Sequence, residues 1–196
     1  MDASTLYHAG NRELQDAFGS RLLADRLEQV TLHRTFTDSD RAFIEGAAFF
    51  FLATADADGR PDCSFKGGLP GFVTVTSADE LAFPDYDGNG MFKSLGNVLA
   101  NPAVGLLFIE MGAKAKRLRV NGTATVSQDD PLMAASPGAQ LIVRVKAEAI
   151  FPNCPRYIPA PDGTSIYTPR EGEAPVEPVW KEFDVFRDVV PPRARP

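Results

Sequence analysis

The segment Phe83-Pro84-Asp85-Tyr86-Asp87-Gly88-Asn89-Gly90-Met91-Phe92-Lys93-Ser94 holds the residue types that bind a phosphate. Asp87 to Met91 supply a tightly turning backbone just ahead of a helical pattern. The N–H groups of a helix's first turn point outward along its axis, and the helix dipole favours an anion there. Lys93 and Ser94 add a cation and a hydroxyl donor to that first turn. The same pattern also describes a loop, a capped helix and a solvated lysine.

Three other segments carry candidate chemistry. Cys63-Ser64-Phe65-Lys66-Gly67-Gly68 ends a strand in Lys-Gly-Gly, where glycine lets backbone approach a planar ligand and Lys66 can face a phosphate or a ring carbonyl. An exposed lysine before a flexible turn reads the same way. In Lys114-Ala115-Lys116-Arg117-Leu118-Arg119-Val120-Asn121-Gly122, strand alternation puts Arg117, Arg119 and Asn121 on one face, suited to a polar ligand or to solvent. In Phe151-Pro152-Asn153-Cys154-Pro155-Arg156-Tyr157-Ile158, two prolines bracket Asn-Cys, and Arg156 follows as a cation for substrate or cofactor. Cys154 reads as a structural thiol.

Several enzyme classes are absent by motif. The chain has no Walker lysine loop, no G-x-G-x-x-G after a strand, no G-x-S-x-G and no H-E-x-x-H. Only His8 and His33 are present, so histidine-based triads and metal sites have little material. Cys63 and Cys154 are not in a metal spacing and read as two free thiols. With net charge −6 and no basic block, a nucleic-acid surface is not expected. The start, Met1-Asp2-Ala3-Ser4-Thr5, lacks a signal-peptide pattern, and no apolar run reaches spanning length. A cytoplasmic protein that does not engage a membrane is expected.

The positioning elements are mostly strands. Leu14, Phe18, Leu22, Leu23, Leu27 and Val30 form a helical stripe over 11–30, weakened at Gly19. A short helix over 41–44 follows, capped by Asp38 or Ser39. Strands are expected at 49–55, 60–66, 72–76, 80–83 (stopped by Pro84), 104–111, 117–126 and 141–150, with a hairpin turn at Asp58-Gly59. A helix from Met91 to Ala100 places Met91, Leu95, Val98 and Leu99 on one side, and Asn101-Pro102 ends it. A turn or short helix falls at 130–135. This spacing predicts a mainly β protein with flanking helices, a small closed or nearly closed barrel. Three parts follow: a helical segment over 1–46 packing on the barrel, the barrel over 47–158, and a proline-rich arm over 159–196. Pro159, Pro161, Pro169, Pro175, Pro178, Pro191 and Pro192 mark the arm, with Val179-Trp180-Lys181-Glu182-Phe183 and Val185-Phe186 as a docking anchor.

Taken in order, these segments resemble the pyridoxamine 5′-phosphate oxidase-like family of FMN-binding split β-barrels. The resemblance spans about residues 40 to 158. It rests on Phe51-Leu52-Ala53-Thr54 with Asp58-Gly59, Ser64-Phe65-Lys66-Gly67-Gly68, Leu81 to Met91, Asn101-Pro102, Val104 to Ile109 and Arg117 to Gly122. Asn89-Gly90-Met91 and Asn153-Cys154-Pro155-Arg156-Tyr157 are similar to a flavin-binding subgroup distinct from the vitamin B6 oxidase proper.

The resemblance implies a homodimer with FMN at the subunit interface. The phosphate would be gripped by Lys66, Lys93 and Ser94, with the backbone of Cys63, Ser64 and Phe65 along the ring. Pro84, Asp85, Tyr86, Asn89 and Met91 would complete the cofactor site, and the strand residue that reaches the ring falls near Arg117. Arg156 is the substrate-binding candidate. The departures are Lys93-Ser94 for the oxidase's Arg-Lys pair, Pro61 for its strand-opening Arg, and Trp180 and Arg187 without a matching motif. The expected function is an FMN-dependent oxidoreductase acting on a small molecule other than a B6 vitamer. The alternatives are a non-enzymatic flavin-binding protein, or the same barrel holding a deazaflavin or haem. Haem is disfavoured because His8 and His33 lie outside the barrel strands.

Overall fold

A computed structural model describes residues 6–111, 115–159, 163–168 and 176–191 of the chain. Lys114 and the prolines at 161, 169, 175 and 192 lie outside the described residues, as do residues 1–5. Contacts divide the chain into His33–Pro155 and a second unit formed by the described residues of Met1–Leu32 and Arg156–Pro196.

The larger unit begins with α3 (Asp38–Glu45), following α1 (Ala9–Ala17) and α2 (Arg21–Thr31) of the smaller one. Its strands are β1 (Phe49–Ala55), β2 (Pro61–Gly67), β3 (Thr74–Val75), β4 (Glu80–Tyr86), β5 (Ala103–Glu110), β6 (Lys116–Ser127) and β7 (Ala139–Asn153). Helix α4 (Lys93–Ala100) lies between β4 and β5, and a 3₁₀ turn over Pro131–Ala135 joins β6 to β7. All pairings are antiparallel, in the order β2-β1-β5-β6-β7-β4-β3.

Side-chain packing shows that this sheet curls. Strands β1 and β4 are four places apart in the sheet, yet the Phe50 and Phe83 rings meet at 4.9 Å. One alternating set of residues from each long strand fills a single core, including Phe50, Leu52, Phe83, Leu106, Phe108, Leu118, Val120, Val143 and Val145. Such a core exists only if the sheet wraps around it, as in a split barrel. The long β6–β7 pair is interrupted by a register shift at Asn121/Gly122. A Cβ on Gly122 would lie 2.0 Å from the Lys146 carbonyl oxygen, so only glycine fits that bend.

Helix α3 is tied to the sheet through His33. Its backbone bridges Ile150 of β7, and its Nε2 lies 2.8 Å from Asp40 Oδ2. Burial pushes the Asp40 carboxyl up, but the hydroxyl and N–H of Thr37 together with His33 outweigh it and hold the group below its usual range.

Several local expectations shift. The 11–30 stripe forms two helices because Gly19 adopts φ +62, and Leu14, Phe18 and Leu22 on it stay exposed. Thr37, not Asp38 or Ser39, caps α3 in a capping box with Asp40. Strand β3 is only two residues long. Pro84 does not stop β4, which runs to Tyr86. The β3 ladder ends at Ala82, so Pro84 sits where one side of β4 has no strand partner, a position that tolerates proline. Helix α4 starts at Lys93, leaving Met91 and Leu99 exposed, and its buried side is Ser94, Leu95, Asn97 and Val98.

In the smaller unit, the Arg26 guanidinium bonds the Val185 carbonyl and Asp188, and Trp180 meets Phe186 edge to face at 5.5 Å. The Arg26 bonds join α2 to the arm. No helix among the described residues is long and apolar enough to cross a membrane.

Candidate functional site

Strand β2 alternates strictly. Asp62, Ser64 and Lys66 share one face, and Cys63 and Phe65 share the other. The first face looks across the seam of the curled sheet toward the end of β4. There a register shift between Asp85 and Tyr86 re-aims the strand, and the 87–92 loop leads into α4. Between them is an open cleft of about 470 Å³. It is lined by Asp62, Ser64, Phe65 and Lys66 from β2, by Asp85 through Leu95, and by Gln140 of β7.

Entry into α4 is unusual. Phe92, its N-cap, adopts φ +46 and ψ +29, a left-handed conformation costly for a residue with a side chain. It supplies no side-chain cap hydrogen bond. The first-turn N–H groups are therefore presented at the cleft wall without the usual capping oxygen. Gly90, at φ +72, makes the turn that leads there, and Asn89 Oδ1 accepts from the Met91 N–H at 3.0 Å.

The polar side chains around that end form short links. Lys66 Nζ lies 2.7 Å from Asp85 Oδ1, an ion pair that spans the seam between β2 and β4. Ser94 Oγ donates to Asp62 Oδ2 at 2.9 Å and lies 2.9 Å from Ser64 Oγ. Exposed Lys93 has a long contact of 3.4 Å to Asn97 Oδ1, while Asn97 donates to Thr54 on β1 at 3.1 Å, fixing α4 on the sheet. Gln140 donates to Asp87 at 3.1 Å across the outer rim. The lining thus carries three carboxylates and two ammonium groups.

The cleft gathers Ser64, Phe65, Lys66, Asp85, Tyr86, Asn89, Met91, Lys93 and Ser94 from the sequence-derived set. Pro84 lines a separate hollow of about 130 Å³ with Phe72, Leu132 and Ile142. Cys63 is exposed on the opposite face of β2. Arg117 lies on β6 opposite Asn153, its guanidinium donating to the Cys154 carbonyl. Arg156 begins the other unit, where its guanidinium lies 5.8 Å from the Tyr157 ring centre. Sequence reasoning passed over Asp62 and Gln140. Asp62 was within reach, since it stands two residues before Ser64 on the same strand face. Gln140 had no local signal.

A curled antiparallel sheet with a polar cleft at its seam defines a split-barrel protein. A model of the family described as Pyridoxamine 5′-phosphate oxidase matches residues 36–166, well over half of the chain, and the chain belongs to that family. No curated protein matches it. Among solved structures it is similar to an FMN-binding protein from Syntrophomonas wolfei subsp. wolfei, at 10% identity and TM-score 0.47, covering 73% of this chain and 96% of that one. It is similar to HupZ of Group A Streptococcus at 15% identity and TM-score 0.48, covering 66% and 98%. It is also similar to HutZ, the haem storage protein of Vibrio cholerae, at 17% identity and TM-score 0.42, covering 58% and 92%.

Proposed function

We propose that the cleft holds the phosphate end of FMN and that the protein is an FMN-dependent oxidoreductase acting on a small molecule. The observation that carries this reading is the convergence of an uncapped α4 N-terminus with Lys66, Lys93, Ser64 and Ser94 on one open cleft. The donors there suit a phosphate monoester: two cations, the Ser64 hydroxyl and backbone N–H groups at the positive end of a helix. Bound there, the flavin would supply hydride or electron transfer, and the protein would supply orientation and electrostatics. Asp62 fixes the Ser94 hydroxyl, Asn97 fixes α4 on β1, and Lys66 and Lys93 hold the anion.

The rest of the reading concerns assembly. The outward face of β1 and β2 carries Phe49 and Phe51 beside Phe65, which is 61% exposed and stacks on Phe49 at 5.4 Å. An apolar face of this kind supports the homodimer, with the flavin ring lying along β2 between two copies. Haem is not favoured: His33 is engaged with Asp40, and His8 caps α1.

The test is to identify, by mass spectrometry, the ligand released from purified protein, and to titrate apoprotein with FMN, a deazaflavin and haem. FMN released or bound, followed by turnover with a nicotinamide donor or oxygen, is expected. Protein that is colourless and stays so after FMN is added would overturn the reading. FMN binding with no turnover would leave a non-enzymatic flavin-binding protein.

A further inference from the structure

The phosphate reading leaves Asp85 unexplained. A carboxylate at the floor of an anion site opposes the ligand, yet Asp85 is buried at 8% exposure, lines the cleft and holds Lys66 at 2.7 Å. Lys66 is partly enclosed, its side chain 19% exposed. The other cleft cation, Lys93, is exposed, makes a long contact to the neutral Asn97 amide and feels the Asp56 carboxylate at longer range. One lysine is therefore available to an incoming anion, and the other is already neutralised.

Position in the fold explains why the pair forms. Lys66 and Asp85 are the next-to-last residues of β2 and β4, and these strands belong to opposite parts of the sheet order. Their ion pair bridges the seam that the curled sheet leaves open. It replaces backbone pairing where none is possible. Removing one partner leaves the other buried and uncompensated, so the link stabilises the ligand-free protein.

From this we infer that Asp85 is an internal counterion that competes with the ligand phosphate for Lys66 and so sets the cleft's affinity for anions. The inference rests on the phosphate reading given above. A phosphate at the α4 N-terminus needs Lys66 to share or leave Asp85, and it brings negative charge beside a buried carboxylate. The competition acts on the phosphate and not on the flavin ring. Asp85 thus lowers affinity for FMN relative to what the same donors would give with a neutral partner, and it keeps the seam closed when no ligand is bound.

The experiment compares wild type with Asp85→Asn, measuring dissociation constants for FMN and riboflavin and the melting temperature of the apoprotein. Asp85→Asn is expected to bind FMN about tenfold more tightly, to leave riboflavin affinity unchanged and to melt at a lower temperature without ligand. A merely structural role for Asp85 would lower the melting temperature and weaken both flavins together, which overturns the inference. Equal FMN affinity in the two proteins also overturns it, while leaving the phosphate reading intact. If neither protein binds FMN, the phosphate reading fails and the counterion role fails with it. Should Asp85→Asn not fold, Asp85→Ser removes the same charge with a smaller side chain and is judged by the same outcomes.

Discussion

Two ionic clusters in this barrel use the same residue types to opposite ends. On the β4–β7 side, Arg144 donates from Nε and Nη2 to Asp130 at 2.5 and 3.0 Å and from Nη1 to Glu80 at 2.7 Å. This cluster is closed. The planar guanidinium fork is matched by two carboxylates, and the 3₁₀ turn after β6 is thereby clamped to the sheet. At the seam, Lys66 has one carboxylate partner, Lys93 has a distant amide, and the α4 N-terminus has no side-chain cap. This cluster is open: Lys93 and the α4 N-terminus lack a close side-chain acceptor, although three carboxylates also line the cleft. Full pairing suits a structural clamp, whereas donors left without a close partner beside a cleft leave room for a ligand.

The comparison breaks first at the lysines. Lys66→Ala with Lys93→Ala removes both cations and is expected to weaken FMN binding by more than a hundredfold, about 3 kcal/mol, since charge-assisted hydrogen bonds contribute roughly 1.5–3 kcal/mol each. Isothermal titration of the double variant and of each single variant would show it. The Lys93→Ala single variant should keep its melting temperature because Lys93 is exposed and poorly paired. Unchanged FMN affinity in both single variants would mean that the open cluster is not the phosphate grip.

The closed cluster should respond in the other coordinate. Arg144→Leu leaves Asp130 and Glu80 without their shared cation, and a loss of about 2 kcal/mol in unfolding free energy is expected. FMN affinity should not change, because none of the three residues lines the cleft. Urea denaturation together with flavin titration checks both halves. A large loss of flavin affinity with little loss of stability would reverse the assignment of clamp and site.

How much of this was legible beforehand depends on how far each signal reaches along the chain. Alternation is local, and it put Arg117, Arg119 and Asn121 on one face of β6, opposite Leu118 and Val120, which are buried. The helix start after Gly90 is local too, and it led to Lys93 and Ser94. Pro84 misled because its tolerance depends on where β3 ends, a tertiary fact about a neighbouring strand. Gln140 reaches the rim from β7, and nothing near it in sequence marks it. The Lys66–Asp85 pair joins strands that meet only because the sheet curls, so each residue was visible as a site candidate while their mutual neutralisation was not. The uncapped left-handed Phe92 was equally hidden, since no residue type announces a missing cap.

The smallest expected effect tests whether the closed cluster is electrostatic at all. The hydrogen bonds from Arg144 hold the Asp130 carboxyl below its ordinary value of 3.8, against a smaller opposing effect of burial. A carboxyl whose folded pKa is depressed adds stability above its unfolded pKa, and that contribution is lost as the pH falls through the folded value. Wild type should therefore lose part of its advantage over Arg144→Leu below about pH 4, by about 1 kcal/mol or less for so partly screened a group. The observable is the difference between the two proteins, because other depressed carboxyls such as Asp40 act on both and cancel. Melting or urea curves for the pair from about pH 6 to about pH 3 would measure it. A gap that stays constant across that range would mean that Arg144 stabilises the 3₁₀ turn through the packing of its aliphatic stem and not through its charge.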